Sequence, residues 1–335
     1  MRPNDIDNDG DIDLFVGGRV VPGRYPVSPP STILLNDGRG NFKEAPSEVL
    51  ERLGMVTDAV WTDVNGDGVK DLLVVGEWMP VKVFINRGGR LSDESDNYIR
   101  FPSSGWWNRL LVADFDGDGD EDVVIGNVGL NTQFRVDTAA PATLYYKDFD
   151  GNGSVDPVLC YYIDGVSYPA ASRDDLTAQL PMLKKKFLTY ASYADAKIGD
   201  LFTADELKGA QVLSAETMET VFMQNDGEKG FALRSLPVEM QYAPIYAMAA
   251  ADVNHDGYRD IVAAGNQSWT RIKFGRYRAN HGVVLLGDGK NNFSYVPQTQ
   301  SGLNVREDVR KIVVLDGSTF IFGANNARPA AYGVR

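Results

Sequence analysis

The chain has 335 residues, 43% of them hydrophobic, with one cysteine, two histidines and a formal net charge of −13 at pH 7. This length allows one large domain or two ordinary ones. The acidic charge argues against nucleic acid as a partner, one cysteine excludes an internal disulfide, and no apolar run predicts a transmembrane helix. The first residues lack the basic start and apolar run of a signal peptide.

One nine-residue motif recurs five times, with Asp or Asn at positions 1, 3 and 5, Gly at position 6 and Asp at position 9. The copies, called loops 1 to 5, read DIDNDGDID from Asp5, DVNGDGVKD from Asp63, DFDGDGDED from Asp114, DFDGNGSVD from Asp148 and DVNHDGYRD from Asp252. Alternate side chains of a tightly curled loop converge on one point, where their oxygens suit Ca²⁺, and the glycine allows the sharp turn. We therefore predict up to five bound calcium ions.

Each loop is predicted to bind through the side chains at positions 1, 3, 5 and 9 and the backbone carbonyl at position 7. The predicted ligands are Asp5, Asp7, Asp9, Asp11, Asp13, Asp63, Asn65, Asp67, Val69, Asp71, Asp114, Asp116, Asp118, Asp120, Asp122, Asp148, Asp150, Asn152, Ser154, Asp156, Asp252, Asn254, Asp256, Tyr258 and Asp260. The alternative is an acidic turn that binds nothing, since Asp, Asn and Gly favour turns for local reasons. Against it, the side-chain positions carry 17 carboxylates, which repel one another at short range.

Short predicted strands surround the loops. AVWTDV, DLLVVGEW and VKVFIN flank loop 2, and turns such as NDGRGNF and GDGKNNF separate other strands. A recurring unit of about 50 residues with four short antiparallel strands is typical of a β-propeller blade. The sequence therefore predicts a single all-β propeller over residues 1–335, with six blades preferred and five or seven as alternatives.

Three parts of the chain depart from this repeat. No predicted strand precedes Asp5, so the first blade is expected to lack its innermost strand. VRKIVVLDGSTFIFGANN has the shape of half a blade and is predicted to pair with the first blade and close the ring. Residues 165–215 are predicted to form a helical insert.

Apolar spacing and capping residues carry the prediction of the insert. Its helical spacing and its two capping pairs involve Leu176, Leu180, Leu183, Phe187, Ser172 with Asp175, and Thr203 with Glu206. Just before it, Cys160 lies in the apolar run VLCYY, which predicts a buried thiol and not a nucleophile.

The loops and the strands that follow them resemble the FG-GAP/VCBS repeat family, whose calcium-loop blades build the propellers of integrin α-chains and many bacterial surface proteins. The resemblance implies a calcium-stabilised propeller for binding or adhesion, extracellular or associated with the outer membrane or cell surface. It also implies that the chain is a fragment, with a signal sequence and further domains outside it.

Two segments, SGWWNR and NQSWTRIKFGRYRANHG, are predicted to contact a glycan or protein ligand. They supply Trp106, Trp107, Trp269, Arg271, Arg276, Tyr277 and Arg278, whose aromatic and guanidinium groups suit sugar faces or acidic partners. Ordinary packing between blades is the alternative. The preferred function is a non-catalytic binding module, since no compact acid–base set, phosphate loop or nucleophile motif is found. A polysaccharide lyase or a cofactor-dependent dehydrogenase on such a propeller remains the alternative.

Overall fold

The computed structural model describes residues 1–45 and 47–334, which consist mainly of antiparallel β-sheet. The described residues form six sheets. Five of them are called blades 1 to 5 because their first strands follow one another along the chain. The sixth, called the inserted sheet, interrupts the sequence of blade 3.

Blades 1 and 2 occupy the N-terminal part of the chain. Blade 1 contains β1 (Arg2–Asn4), β2 (Asp13–Val16), β3 (Thr32–Asn36) and β4 (Phe42–Ala45). Blade 2 contains β5 (Met55–Thr62), β6 (Asp71–Met79), β7 (Lys82–Asn86) and β8 (Leu91–Asp93), with the short β9 (Gly105–Trp106) paired to β6.

Blade 3 is split by the inserted sheet. It starts with β10 (Arg109–Ala113) and β11 (Asp122–Gly126). The inserted sheet follows with β12 (Ala142–Lys147), β13 (Asp156–Ile163), β14 (Val166–Pro169) and β15 (Gln211–Ala215). Blade 3 then resumes with β16 (Val221–Asn225) and β17 (Phe231–Ser235). Because β11 pairs directly with β16, the whole insertion lies between the second and third strands of this blade.

Blades 4 and 5 complete the described chain. Blade 4 contains β18 (Ile245–Ala251), β19 (Asp260–Gly265), β20 (Val283–Gly287) and β21 (Phe293–Tyr295). Blade 5 contains β22 (Val309–Leu315), β23 (Thr319–Ala324) and β24 (Ala330–Gly333).

The helices are short. They are α1 (Glu48–Glu51), α2 (Ser95–Tyr98), α3 (Arg173–Gln179), α4 (Tyr190–Tyr193), α5 (Ile198–Leu201), α6 (Ala204–Leu207) and α7 (Gln298–Ser301), with 3₁₀ turns at Pro181–Lys184, Gly227–Lys229, Val238–Gln241 and Ile272–Phe274. None of these described helices has the length and apolar character needed to cross a membrane.

The core lies between successive blades. Successive side chains of a strand point to opposite faces, so the second strands of blades 2, 3 and 4 each contribute to two clusters. On β6, Leu72 and Val74 pack toward blade 1, whereas Leu73 and Val75 pack toward blade 3. Such apolar runs are buried on both faces, which explains why the sequence after loops 2, 3 and 5 is continuously hydrophobic.

The innermost strands of successive blades contact one another in the order β1, β5, β10, β18 and β22, each strand with the next. Asp58 on β5 joins three of them. Its carboxylate accepts from the guanidinium of Arg2 on β1 and from the Leu110 N–H on β10 at 3.0 Å, and it pairs with Arg109 at 3.4 Å. This is a β-propeller arrangement, as the sequence predicts.

The number of sheets differs from the number of successive blades. The described residues form six sheets, which equals the preferred number of blades, but the inserted sheet is not one of the successive blades. Five blades, one of the alternatives, therefore follow one another. The local pattern of loop 4 and its strands resembles a blade, and it gives no sign that β11 pairs with a strand far along the chain.

Both expectations about the ends of the repeat are wrong. Blade 1 has an innermost strand, because β1 pairs with β2, with Arg2 opposite Phe15. Three residues that include Pro3 are too short a segment for a strand pattern. At the other end, β22 to β24 form their own sheet, and no strand ladder joins them to blade 1 in the described residues.

The helical stretch is narrower than residues 165–215, because β14 and β15 occupy the two ends of that range. Its predicted details are confirmed. Ser172 Oγ accepts from the Asp175 N–H, Thr203 and Glu206 form a capping box, and the apolar residues at helical spacing are buried. Cys160 is buried in the same cluster, which packs the helices onto β13.

Candidate metal centres and an aromatic cavity

The five loops connect adjacent antiparallel strands. Loops 1, 2, 3 and 5 join the first and second strands of blades 1 to 4. Loop 4 joins β12 and β13 of the inserted sheet, where β12 is not an edge strand because it also pairs with β15. The four blade loops therefore lie at the same end of the blades.

The same hydrogen bonds curl every loop. The position 1 carboxylate accepts from the position 6 glycine N–H, at 3.1 Å in loop 1 and 2.8 Å in loop 2. The equivalent distances in loops 3, 4 and 5 are 3.2, 2.8 and 2.9 Å. The position 5 side chain accepts from the position 7 N–H at 2.7–2.9 Å throughout. These bonds bring the side chains at positions 1, 3 and 5 to one side of the turn.

Two positions of each loop have a left-handed backbone. The position 6 glycine has φ between 84° in Gly68 and 99° in Gly119, a region that disfavours side chains. Position 4 also has positive φ, which Asn8 and His255 adopt at 60° and 61°. The side chain of His255 is exposed at this position of the turn.

The position 9 aspartate is buried in all five loops. Its Oδ2 accepts from the position 2 N–H at 2.7–3.3 Å. In blades 1 to 4, Oδ1 of this aspartate accepts a second hydrogen bond from a backbone N–H of the third strand. In blade 2, for example, the Asn86 N–H donates to Asp71 at 2.8 Å. This carboxylate therefore fastens the loop to the sheet, and each oxygen keeps a further lone pair for a cation.

Burial makes ionisation of these carboxylates costly. It raises the pKa of Asp71 to about 6 and that of Asp122 to about 7, against the backbone N–H donors that favour the charged form. Burial, followed by the charge of neighbouring carboxylates, also raises the pKa of Asp7 and Asp116. A bound divalent cation would offset both effects.

The residues present fit a hard cation. Carboxylate oxygens lie within 4.8 Å of one another in Asp5, Asp7 and Asp13, in Asp114, Asp116 and Asp118, and in Asp148, Asp150 and Asp156. In loop 1 the Oδ1 atom of Asp7 is buried without a hydrogen-bond partner among the described residues. A buried carboxylate oxygen of this kind is a ready cation ligand.

Loops 2 and 5 differ at position 3, where Asn replaces Asp. The Nδ2 atoms of Asn65 and Asn254 donate to the position 5 carboxylates of Asp67 and Asp256, at 3.0 and 2.7 Å. The donated proton relieves part of the repulsion that an all-carboxylate loop has. At their side-chain ligand positions, these two loops thus carry one carboxylate fewer than loops 1 and 3.

Asparagines that the sequence analysis did not identify join one blade to the loop of the blade before it. Asn86 Nδ2 donates to the Ile6 carbonyl of loop 1 at 2.9 Å, and Asn225 Nδ2 to the Val64 carbonyl of loop 2 at 3.4 Å. Both stand at the end of a third strand, before a glycine turn. That recurring Asn was visible in the sequence, but its partner in another blade was not.

An aromatic cavity of about 260 Å³ lies at the opposite end of the blades from the loops. Its lining comes from the far end of β6 and the starts of β10 and β18, together with the inserted sheet and the segment after β19. The lining residues are Tyr25, Glu77, Trp78, Trp106, Asn108, Val128, Phe134, Leu159, Pro244, Tyr246, Gln267, Thr270, Phe274 and Tyr277.

Rings are packed edge to face in this cavity. The Trp106 ring lies 4.8 Å from that of Trp78 and 5.0 Å from that of Phe134. Trp78 Nε1 donates to the Tyr25 hydroxyl at 2.9 Å, and Glu77 pairs with Arg19 at 2.7 Å. Trp78 also has φ of 62°, a strained conformation for a large residue and one that is often found at functional sites.

Six of the seven predicted ligand-contact residues separate into three groups. Trp106 and Tyr277 line the aromatic cavity, and Tyr277 also borders a more open cavity of about 480 Å³ with Arg276 and Arg278. Trp269 and Arg271 are exposed outside the aromatic cavity.

Trp107 does not contact a ligand, contrary to the prediction, because its side chain is buried. Only 1% of its surface is exposed, and its Nε1 donates to the Ser103 carbonyl at 2.8 Å, so it belongs to the core between blades 2 and 3. Trp78, Tyr25 and Phe134 were missed, because no local signal brings these distant segments to one cavity.

Fold and site together define a β-propeller with loop-bearing blades. The family profile for the FG-GAP-like repeat matches residues 5–74 and 63–125. Each match starts at one acidic loop and ends in the strand that follows the next acidic loop. This part of the chain thus carries FG-GAP-like repeats, which are propeller blades. No curated protein matched the sequence.

Proposed function

We propose that this chain is a calcium-stabilised, non-catalytic binding propeller that acts outside the cell. The observation that supports this most is the common hydrogen-bonded geometry of the five loops, with carboxylate oxygens clustered in loops 1, 3 and 4. FG-GAP repeats commonly occur in extracellular proteins, and calcium is abundant there.

Calcium in this proposal is part of the fold. A metal that binds only the folded chain stabilises it by about 2.7 kcal/mol per site when its free concentration is a hundredfold above the dissociation constant. Millimolar extracellular calcium supplies that margin for sites with a dissociation constant of about 10 μM or lower, whereas resting cytosolic calcium does not.

The test is calcium titration of metal-stripped protein by calorimetry, with thermal melts in calcium, in magnesium and in excess chelator. We expect several equivalents of calcium to bind and the melting temperature to rise markedly with calcium. Coincident melts in calcium and chelator, on protein proven free of metal, would overturn the proposal.

For the ligand, the aromatic cavity supports a carbohydrate. Sugar rings pack their C–H faces on Trp and Tyr rings while their hydroxyls need polar partners. Trp106 and Tyr277 supply the rings, and Glu77 and Gln267 supply polar groups. Glu77 is the one carboxylate among the described lining residues, whereas most glycoside hydrolases use two. The cavity therefore favours binding over hydrolysis.

A glycan array with metal-loaded protein tests this part. We expect Trp106→Ala to abolish binding and Trp269→Ala, whose side chain is exposed outside the cavity, to leave it unchanged. Equal losses in both variants would argue against the cavity. Release of oligosaccharides from any glycan that binds would favour the polysaccharide-active enzyme instead.

A further inference from the structure

Asn291 of blade 4 reaches into loop 3 of blade 3. It lies in the turn between β20 and β21, with 6% of its surface exposed and φ of 60°. Its Nδ2 donates to Asp116 Oδ2 at 2.7 Å, across 175 positions of sequence. The other end of the same amide, Oδ1, is buried and has no hydrogen-bond partner among the described residues.

A buried amide oxygen without a partner is unfavourable. We therefore expect Asn291 Oδ1 to contact a hydrogen-bond donor or a cation. The two ends of an Asn amide exchange by a half-turn of the side chain, and the assignment follows from the neighbours present. Turned over, Oδ1 would face the carboxylate of Asp116, and two oxygens approach in that way when a cation or a proton lies between them.

We propose that Asn291 Oδ1 is a ligand of the cation held by loop 3, so that this metal site is shared between two blades. The inference rests on the proposed function, in which the loops bind calcium. Asn side-chain oxygens are ordinary calcium ligands, and a neutral one adds coordination without adding to the repulsion among Asp114, Asp116 and Asp118.

Loop 1 differs from loop 3 in its contact with the turn of the neighbouring blade. The blade that covers loop 1 presents Gly89 to Asp7, and a Cβ at Gly89 would lie 2.8 Å from the Asp7 Cβ. Loop 3 instead receives a complete amide, so its calcium ion joins blades 3 and 4 directly.

Calcium calorimetry on the full chain tests the proposal. Asn291→Gly keeps the positive φ and removes the amide, and Asn291→Asp keeps an oxygen at the same place. The control is Asn292→Ala in the same turn, because the Asn292 amide donates to Asp288 of its own turn and its side chain is exposed.

We expect Asn291→Gly to weaken one calcium site by about tenfold or more, the scale of loss seen even for outer partners of a metal. Asn291→Asp should bind with equal or greater affinity, and the control should match the wild type. In a chain already carrying Asp114→Ala, which disables loop 3, Asn291→Gly should cause no further loss.

Two results would show that Asn291 is only a hydrogen-bond donor to Asp116. They are unchanged or tighter calcium binding by Asn291→Gly, and weaker calcium binding by Asn291→Asp. That result leaves the proposed function intact. A wild-type chain that binds no calcium would overturn both proposals, so the two failures are distinguishable.

Discussion

The side chain of Asn86 donates a 2.9 Å hydrogen bond to the carbonyl oxygen of Ile6, which lies 80 residues earlier. The backbone N–H of the same residue donates to Asp71 at 2.8 Å. One buried asparagine therefore fastens its own strand to loop 2 and its blade to loop 1. The cohesion of blades 1 and 2 depends on polar contacts at the loop end as well as on the apolar core.

We expect Asn86→Ala to lower the free energy of unfolding by about 1–3 kcal/mol, because it leaves the buried Ile6 carbonyl without its donor. Urea denaturation in calcium measures the loss. Asn36→Ala is the matched control, since Asn36 ends the third strand of blade 1 but its amide reaches Ile12 within its own blade. Equal losses in the two variants would contradict a special role for the contact between blades.

Gly119→Ala should destabilise the chain by about 1–2 kcal/mol through backbone strain, since φ at Gly119 is 99° and a side chain there meets no neighbour. The control is Gly333→Ala, which also has open space but no positive φ. Denaturation of both variants with and without calcium separates strain from metal loss. Indistinguishable variants would mean that the loop backbone relaxes at no cost.

The metal-free protein should become less stable as pH rises from about 5 to 8. Asp71 and Asp122 have pKa values of about 6 and about 7 in the folded chain, above the ordinary value of about 3.9 in the unfolded chain. The folded state then holds more protons, so its added stability is complete below about pH 4 and is lost as pH passes 7.

Urea denaturation of resin-stripped protein at four pH values between 5 and 8 measures this trend. Calcium should reverse it, because metal binding requires the ionised carboxylates. A metal-free protein whose stability increases over this range would contradict the raised pKa values.

Cys160 should not react with thiol reagents in the native protein. Burial raises its pKa to about 12, so only about one thiol in ten thousand is ionised at pH 8, and the reactive species is the thiolate. Labelling with a chromogenic disulfide should be negligible in buffer and complete in urea. Rapid labelling of native protein would mean that the helices over β13 open readily.

The sequence predicts those features that depend on neighbours in the chain. The five loops, the strand after each and the cap at Ser172 follow from local spacing and chemistry, as does burial of Cys160. The pairing of Val123 with Met223, the amide of Asn291 near Asp116, and the meeting of Trp78 with Phe134 were not predictable. Each of them joins segments whose proximity arises only when the blades pack.

The insertion into blade 3 has a consequence for biosynthesis. Val123 on β11 pairs with Met223, 100 residues later, so at about 5–20 residues per second the ribosome needs about 5–20 s to supply the missing strand. Throughout that time β11 presents an apolar, unpaired edge, the kind of surface that recruits other chains. The inserted sheet has its own apolar cluster around Cys160 and Phe202, so it can collapse on its own and keep the two halves of blade 3 close while synthesis continues.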